Sequence, residues 1–406
     1  MKLQLTHPLF QKAIPVLEKI ESHGYEAYFV GGCVRDSLLG QVISDIDIAS
    51  SAFPQEIQAI FPKHFDVGID HGTVVVLHQG EAYEITTFRT ESTYTDHRRP
   101  DQVAFVRNLE EDTLRRDFTM NAMAIDRKGQ VYDYHQGYQD LENQLIRAVG
   151  RPHARFEEDA LRMMRGVRFA SQLGFKIESA TFQAIQDLAS QLQHISIERI
   201  RIEFEKLMLG QYLDQAASEI EASRLLDYFP QADNLDYRQG LTYLIDQTQP
   251  ETVKTPALVW GLLMIGMGVK PGQIKPVLRA WTLSNDLIDR VLAFVDLDRT
   301  YQARDLTAED YYRYCQADMA TYGQYLQDLG RHEEADRLAQ AYQDLPIHHR
   351  QEIALNGRQI MDLLGMTKGG PIIGQVLAQV ETAILKGDLV NDATAIRDFI
   401  QQGDWD

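Results

Sequence analysis

The first ~150 residues alternate short apolar runs with amphipathic stretches. Apolar runs that end at glycine or polar residues predict strands over residues 25–30, 43–49, 73–77, 83–88 and 103–106. Apolar positions at helical spacing predict helices over residues 8–21 and 54–61. Short strands that alternate with helices at this density predict an N-terminal α/β (α+β) domain.

After residue 150 the pattern changes to helical periodicity. Helices are predicted over residues 157–173, 179–192, 196–209, 212–223 and 308–328. The strongly apolar stretch 256–269 is too short to span a bilayer and predicts a buried helix. The pattern therefore predicts a multidomain protein in which an all-α helical C-terminal region follows the α/β domain.

One short segment carries the strongest chemical signal. A predicted strand runs into Gly31 and Gly32, a short helix follows, and the next predicted strand carries Asp45 and Asp47. Side chains two apart on a strand share a face, so we expect the two carboxylates side by side and Ile46 in the core. Hard oxygen ligands suit Mg²⁺, and a Gly-Gly turn before a helix suits a phosphate.

Each part has an ordinary alternative, because most Gly-Gly turns are only tight turns and most Asp-x-Asp pairs are solvated surface. The fixed order and short spacing favour metal-assisted nucleotidyl transfer. A dinucleotide fingerprint is excluded here, because the pattern G-x-G-x-x-G is absent.

Four segments resemble the motifs of one family and occur in its order. They read GGCVRDSLLGQVISDID (31–47), RRDFTMNA (115–122), DYHQGYQDL (133–141) with Ile146-Arg147, and EDALR (158–162) with Arg165 and Arg168. The chain resembles the bacterial CCA-adding enzymes, class II tRNA nucleotidyltransferases of the polymerase-β superfamily. The resemblance implies a nucleotidyltransferase palm or head over residues 1–149, a nucleobase-recognising neck over 150–209, a body over 210–300 and a tRNA-binding tail over 301–406.

The resemblance also implies a mechanism, in which the tRNA 3′-hydroxyl attacks the α-phosphate of CTP or ATP. Asp45 and Asp47 are the expected Mg²⁺ ligands, and Glu84 is the candidate third catalytic carboxylate, although a strand glutamate is usually just exposed. Gly32, Arg35 and Arg116 are expected to position the phosphates, since a guanidinium fork matches phosphate oxygens. The adjacent Asp117 is expected to accept from a ribose hydroxyl, to pair with Arg116 or to cap a helix.

The fourth motif predicts how a base is chosen. Asp159 and Arg162 are three residues apart on a predicted helix and so are neighbours, which is also the spacing of an ordinary ion pair. Cytosine and adenine each present an amino donor beside a ring-nitrogen acceptor, which this pair would match, whereas guanine and uracil would mispair at about 1–3 kcal/mol per group. The resemblance makes this pair the protein template. Arg165 and Arg168 are expected to reach the triphosphate or the tRNA end.

The net charge of −19 is unusual for a nucleic-acid binder. Basic side chains nevertheless concentrate between residues 147 and 176, which predicts either a solvated ion-paired face or a cationic strip beside the active site. Two distant cysteines and the lack of an apolar N-terminal leader favour a cytoplasmic protein without a membrane segment. The expected partners are the 3′ end and acceptor arm of tRNA, ATP and CTP, with a homodimer as a candidate assembly.

Rival interpretations are a poly(A) polymerase, a tRNA nucleotidyltransferase that adds only A, and a non-catalytic RNA-binding protein. The segment 71–76 (HGTVVV) resembles the CCA-adding branch, and an intact Asp45/Asp47 pair would be of no use to a pure binder. The polar stretch 89–100 is expected to be a mobile loop over the site or simply disordered. Glycines near residues 357, 370 and 387 resemble the family's tail but equally fit ordinary helix punctuation.

Overall fold

The structure is a computed structural model that describes residues 1–66, 72–91, 103–250, 254–366, 368–403 and 405. The chain forms two compact units, Met1–Asn234 and Leu235–Asp406. The predicted head and neck both lie within the first unit, and the finer boundaries at 149, 209 and 300 stay predictions. His71 and residues 92–100 of the predicted loop lie outside the described residues.

The first unit is built on a mixed β-sheet. Its strands are β1 (Ala27–Val30), β2 (Asp47–Ser50), β3 (His64–Phe65), β4 (Thr73–His78), β5 (Glu81–Thr87), β6 (Arg89–Glu91), β7 (Val103–Phe105), β8 (Met123–Ile125), β9 (Val131–Asp133), β10 (Leu145–Ile146) and β11 (Lys176–Ile177). Seven strands form one sheet in the order β3-β4-β5-β2-β1-β8-β9. β6 pairs with β7, and β10 pairs in parallel with β11, which ties the end of the predicted head to the predicted neck.

Helices cover the sheet and continue beyond it. They are α1 (Pro8–Ser22), α2 (Gly32–Leu38), α3 (Pro54–Ile60), α4 (Leu109–Leu114), α5 (Gly137–Glu142), α6 (Pro152–Glu158), α7 (Leu161–Leu173), α8 (Ser179–Leu188), α9 (Ile197–Met208) and α10 (Leu213–Ala222). The predicted α/β palm followed by helices is confirmed.

Strand β2 lies between β1 and β5, and its register sets the geometry of the site. Val30 faces Asp47 across the antiparallel pair, and Asp47 faces Glu84 across the parallel pair. The next residue, Ile48, is buried because successive strand side chains point to opposite faces.

Asp45 does not lie on this strand. The predicted strand 43–49 begins only at Asp47, because Gly31 turns the chain away after Val30 and the antiparallel ladder ends at the Val30–Asp47 pair. The expectation that strand alternation aligns Asp45 with Asp47 is therefore wrong, and Ile46 is half-buried rather than in the core.

The predicted helix 157–173 is two helices. α6 ends at Glu158, and Asp159 has an extended backbone (φ −141°, ψ 103°) before α7 begins at Leu161. The Asp159 carboxylate accepts a hydrogen bond from the Leu161 backbone N–H, so it caps the second helix. The prediction that Asp159 and Arg162 share one continuous helix face is therefore wrong. A capping side chain competes with continuation of the helix, but it leaves the apolar periodicity of the sequence unchanged.

The second unit is helical. Its helices are α11 (Tyr237–Asp246), α12 (Pro256–Gly266), α13 (Pro271–Ala280), α14 (Asn285–Ala303), α15 (Ala308–Arg313), α16 (Gln316–Asp328), α17 (His332–Gln343), α18 (Gly357–Leu363), α19 (Pro371–Leu385) and α20 (Ala393–Gln402). α12 is the predicted buried helix, with Trp260 fully buried in it. The described helices include none with both the length and the apolarity needed to cross a bilayer.

Local capping explains the helix ends of this unit. The predicted helix 308–328 breaks into α15 and α16, because Asp318 accepts the backbone N–H of Cys315 and caps the second piece. Asn356 caps α18, Pro371 is the first residue of α19, and Gly387 follows α19 with φ +77°. The predicted helix punctuation of the tail is therefore confirmed.

Candidate active site

Gly31 brings the first elements of the site together. Its backbone conformation (φ +74°, ψ −136°) strongly favours glycine. A Cβ placed on Gly31 would lie 3.3 Å from Oδ2 of Asp47 and 3.8 Å from Nη1 of Arg116. The missing side chain therefore lets a carboxylate and a guanidinium approach the turn between β1 and α2.

Three carboxylates lie near the starts of strands β2 and β5. Glu84 is the register partner of Asp47, and both line a cavity of about 360 Å³ with Asp45. Partial desolvation raises the pKa of the Asp47 carboxyl above its ordinary value, and the negative charges of Asp45 and Glu84 add to the effect, against the charge of Arg116. The three predicted catalytic carboxylates thus line one cavity, and their mutual repulsion favours a bound cation.

The donor set fits a hard divalent ion, although it is incomplete as it stands. Among the described residues no three His, Cys, Asp or Glu side chains converge as a ready-made metal site. Asp45 and Asp47 supply two oxygen donors, and ions such as Mg²⁺ are commonly bound by one or two carboxylates together with substrate phosphates. The residues present therefore fit an ion that arrives with a nucleotide.

Arg116 is held beside Asp47 by a buried acid. Its guanidinium pairs with Asp112 at 3.2 Å, and Arg115 pairs with the same carboxylate at 2.8 Å. Burial alone would raise the pKa of Asp112, but the charges of Arg115 and Arg116 outweigh it and lower the pKa. Nε of Arg116 is buried and meets no hydrogen-bond acceptor in the described part of the chain. This unused donor suits a phosphate oxygen.

The ring of Phe169 gathers three of the predicted nucleotide-binding arginines. The guanidinium carbons of Arg35, Arg165 and Arg168 lie 5.0, 5.5 and 3.9 Å from its centroid. Arg35 also donates to Oδ1 of Asn121 at 2.9 Å. The ring thus joins a cation of the palm to two cations of helix α7.

Two buried acids balance this group of cations. Arg165 pairs with Asp117 at 2.6 Å, and Arg168 pairs with Glu203 of α9 at 2.8 Å. Burial alone would raise the pKa of Asp117, but the charge and hydrogen bond of Arg165 hold the pKa well below its ordinary value. Burial lowers the pKa of Arg168 to about 10, against the opposing charge of Glu203. Asp117 therefore has Arg165 as its ionic partner, and the expectation that it pairs with Arg116 is wrong.

Asp159 and Arg162 lie at the start of α7 and bond to different groups. Asp159 accepts a hydrogen bond from Arg199 of α9 at 2.8 Å. The buried Arg162 donates to Glu158 at 2.7 Å and to two backbone oxygens at 2.9 and 3.0 Å. Each group is thus held by protein partners of its own, and the template role stays a prediction.

Three family models match successive parts of the chain. The poly A polymerase head domain matches residues 27–147, the probable RNA and SrmB-binding site of polymerase A matches residues 174–235, and the putative tRNA nucleotidyltransferase domain 2 matches residues 251–400. These matches follow the order of the palm and the helical regions.

Relatives match over nearly the whole chain. The CCA-adding enzyme of Limosilactobacillus reuteri is 42% identical over 402 residues, and that of Streptococcus pyogenes is 44% identical over 407 residues, each with 99% of both chains covered. The chain belongs to the CCA-adding enzyme family. A solved CCA-adding enzyme of Bacillus stearothermophilus, in complex with CTP, is 37% identical with a TM-score of 0.84 over 98% of both chains.

Membership of the CCA-adding enzymes confirms the predicted enzyme class, a CCA tRNA nucleotidyltransferase. It supports CCA addition over the rival interpretations as a poly(A) polymerase, an A-adding enzyme or a non-catalytic binder. The CCA-adding enzyme of Thermotoga maritima, complexed with tRNA, is 22% identical with a TM-score of 0.61 over 98% of this chain and 96% of that one, and so shares the fold.

Three further residues contact the candidate site residues, although the sequence pattern did not single them out. Glu203 of α9 pairs with Arg168 of α7, Arg199 of α9 bonds to Asp159 before α7, and the Phe169 ring packs against the three arginines. Glu203 did leave a signal, because it falls on the buried face of α9 with Phe204 and Ile200, where a carboxylate needs a partner. Phe169 gave no such signal, since an aromatic residue on an amphipathic helix is normally predicted to be an ordinary core residue.

Proposed function

We propose that this chain adds C, C and A in turn to the 3′ end of tRNA from CTP and ATP, releasing pyrophosphate, without a nucleic-acid template. The observation that carries the proposal is the position of Asp47, which lies beside Gly31 and Arg116 on one side and pairs in register with Glu84 on the other, in a chain that matches CCA-adding enzymes over 99% of its length. Carboxylates beside a guanidinium with an unused donor are suited to orienting a nucleoside triphosphate next to an attacking hydroxyl.

Mg²⁺ is the proposed metal, with Asp45 and Asp47 as its ligands and Glu84 as the third catalytic carboxylate. The oxygen-only donor set and the raised pKa of Asp47, which partial desolvation and the neighbouring charges of Asp45 and Glu84 produce, support this choice. When bound, a divalent cation would stabilise the charge on the attacking and leaving oxygens. Replacing one carboxylate should therefore affect the addition of both nucleotides equally.

Phosphate positioning is assigned to Gly32, Arg35 and Arg116. We assign the Nε donor of Arg116 to a phosphate oxygen, because Nη2 is held by Asp112, Nη1 lies 3.5 Å from the backbone oxygen of Asn121, and Nε has no acceptor in the described part of the chain. Arg35 is anchored by Asn121 at 2.9 Å and by a two-point ion pair with Asp36, so its guanidinium is held in a fixed orientation. Arg165 and Arg168 already have acidic partners, so we assign them to the triphosphate or the tRNA end as orienting charges.

Base selection is assigned to Asp159 and Arg162. A carboxylate oxygen of Asp159 would accept the amino hydrogen of cytosine or adenine, and Arg162 would donate to the ring nitrogen. Binding a base in this way requires Asp159 to exchange Arg199, and Arg162 to exchange Glu158, for the base edge. Guanine and uracil offer the reverse pattern of donor and acceptor and leave both groups mispaired.

The proposed partner is the acceptor arm of tRNA. The tail, residues 301–406, is the proposed region of contact with the remainder of the tRNA. A homodimer and a cytoplasmic location stay predictions.

The decisive experiment uses a tRNA transcript that lacks its 3′ CCA, the purified full-length chain and Mg²⁺. CTP alone, ATP alone and both together are supplied, and the 3′ ends of the products are sequenced. Two C residues from CTP alone and a single CCA from both are the expected products. Addition of A only, a long A run, or no product with any nucleotide would each overturn the proposal.

A further inference from the structure

The two sides of Asp47 differ in chemistry. In the sheet order β5-β2-β1, strand β2 separates β1, which leads into Gly31, from β5, which carries Glu84. The groups that suit phosphates, Gly31 and Arg116, lie towards β1. The cavity of about 360 Å³ lies towards β5 instead, at the beginning of the two parallel strands.

The reaction requires its two substrates to approach from opposite sides. Displacement at a phosphate places the attacking and the leaving oxygen in line. If the triphosphate lies on the Gly31 side, the nucleotide that carries the attacking 3′-hydroxyl enters from the β5 side. A cavity of about 360 Å³ is of a size that suits one nucleotide.

The charge of this cavity creates a difficulty for RNA. Its lining includes four carboxylates, those of Asp45, Asp47, Glu81 and Glu84. The terminal nucleotide of an RNA brings a phosphodiester of the same sign. Among the described residues that line the cavity, Lys12 of α1 is the only cation.

The backbone of Lys12 is fixed at the edge of the cavity, whereas its ammonium group can move. Its backbone oxygen accepts a hydrogen bond from the Tyr83 hydroxyl at 3.1 Å, which fixes the start of the side chain. Its Nζ lies 2.6 Å from Oε1 of Glu81, and 58% of its side chain is exposed. Exposed ion pairs of this kind are weak, so the ammonium can exchange Glu81 for a phosphate at little cost.

We infer that Lys12 is a positioning residue for the 3′ end of the RNA substrate. Its ammonium leaves Glu81 and binds the phosphodiester on the 5′ side of the terminal nucleotide, which places the 3′-hydroxyl beside Asp45 and Asp47. Glu81 holds the ammonium over the cavity until the RNA enters. This inference rests on the proposed function, because it takes an RNA 3′ end as the substrate of the site.

The test uses full-length protein, a tRNA that ends in CC, and ATP with Mg²⁺, so that each turnover adds one A. Lys12→Gln should raise KM for the tRNA about fivefold and leave KM for ATP unchanged. Lys12→Arg should restore most of the loss. The slope of log KM for tRNA against log salt should fall by about 0.7, the value expected for one phosphate contact on a single strand.

Two controls separate phosphate binding from structural damage. Glu81→Gln breaks the same ion pair but keeps the ammonium, and it should lower KM for tRNA rather than raise it. Lys128→Gln removes an exposed lysine from the same unit, in the turn before β9, and should change neither KM. A Glu81→Gln variant that copies the defect of Lys12→Gln would overturn the inference, because the ion pair itself would then be what matters.

A modified substrate locates the contact. A tRNA whose last internucleotide linkage is a neutral methylphosphonate should raise the KM of the wild-type enzyme about fivefold and that of Lys12→Gln no further. Additive effects would overturn the assignment of this phosphate, and a raised KM for ATP would place Lys12 with the triphosphate. If the wild type fails to extend the tRNA at all, the proposed function is refuted. If the wild type extends the tRNA normally and Lys12→Gln has the same KM for tRNA, only the inference about Lys12 is refuted.

Discussion

Arg165 of helix α7 lies 2.6 Å from the buried carboxylate of Asp117 in the palm. This contact joins the segment that holds Arg116 to the helix that begins at the proposed base-reading residues. It therefore couples the geometry of the phosphate end of the site to that of the base end.

Asp117→Asn should destabilise the first unit by about 2 kcal/mol, because it leaves the Arg165 cation without its main partner. This value is smaller than that for a fully buried ion pair, because 34% of the Arg165 side chain is exposed to solvent. Although burial alone would raise the pKa of Asp117, the charge of Arg165 holds this pKa below its ordinary value in the folded protein. The stabilising contribution of the Asp117 carboxylate is therefore fully present above about pH 4, and it is lost as the pH falls through the lower folded-state pKa. The difference in unfolding free energy from the wild type should accordingly shrink below about pH 4.

Urea unfolding followed by far-ultraviolet circular dichroism measures this change. Tryptophan fluorescence is the internal control, because Trp260, Trp281 and Trp405 all lie in the second unit and should be unaffected. A difference that stays constant from pH 7 to pH 3 would contradict the ionic role of Asp117.

Asp47→Asn should reduce addition of both C and A by about a thousandfold or more while RNA binding survives. Without metal, the same change should slightly raise the unfolding free energy, because partial desolvation and the charges of Asp45 and Glu84 disfavour an ionised Asp47 and raise its pKa. Asp233→Asn, an exposed carboxylate of the same unit, is the matched control. Single-turnover kinetics, gel shifts and calorimetry in EDTA provide the measurements, and loss of RNA binding together with activity would argue against a catalytic role.

Gly31→Ala should cost both stability and activity. The substitution places a Cβ 3.3 Å from an Asp47 oxygen in a backbone conformation that side chains rarely adopt, so we expect a loss of about 2 kcal/mol and at least about tenfold in kcat. Gly40→Ala also has a positive φ (+68°) but meets nothing within 4 Å, and it should lose stability alone. Equal kinetic defects in the two variants would show that the close approach at Gly31 is unimportant.

Arg162→Ala should erode the choice of base more than the binding of triphosphate. We expect discrimination against UTP and GTP to fall by about tenfold or more, with a smaller change in KM for CTP. Glu158→Gln keeps Arg162 but removes its 2.7 Å ion pair, and it should retain most of the discrimination. Competition assays with mixed nucleotides measure the ratios, and unchanged ratios in Arg162→Ala would refute the template role.

The sequence predicted the fold class and the gathering of Asp45, Asp47 and Glu84, because apolar periodicity and motif order survive tertiary packing. It misplaced Asp45 and Asp159, where a glycine turn and a capping carboxylate interrupt regular structure without changing the periodicity. The partners of Arg165 and Arg168 could not be predicted, since they depend on α9 lying against α7. Pairing between distant segments is decided by tertiary contacts that local propensity does not encode.

The parallel pair of β10 and β11 determines how small a working fragment of this enzyme can be. Leu145 pairs with Lys176, so the last strand of the palm finds its partner beyond the two helices α6 and α7. Cutting the gene after codon 149 would leave that edge open and would also strip Phe118 of its ring contact with Phe169. A transplantable module, or a split enzyme reassembled from two halves, should instead be divided near Asn234, where the first compact unit ends.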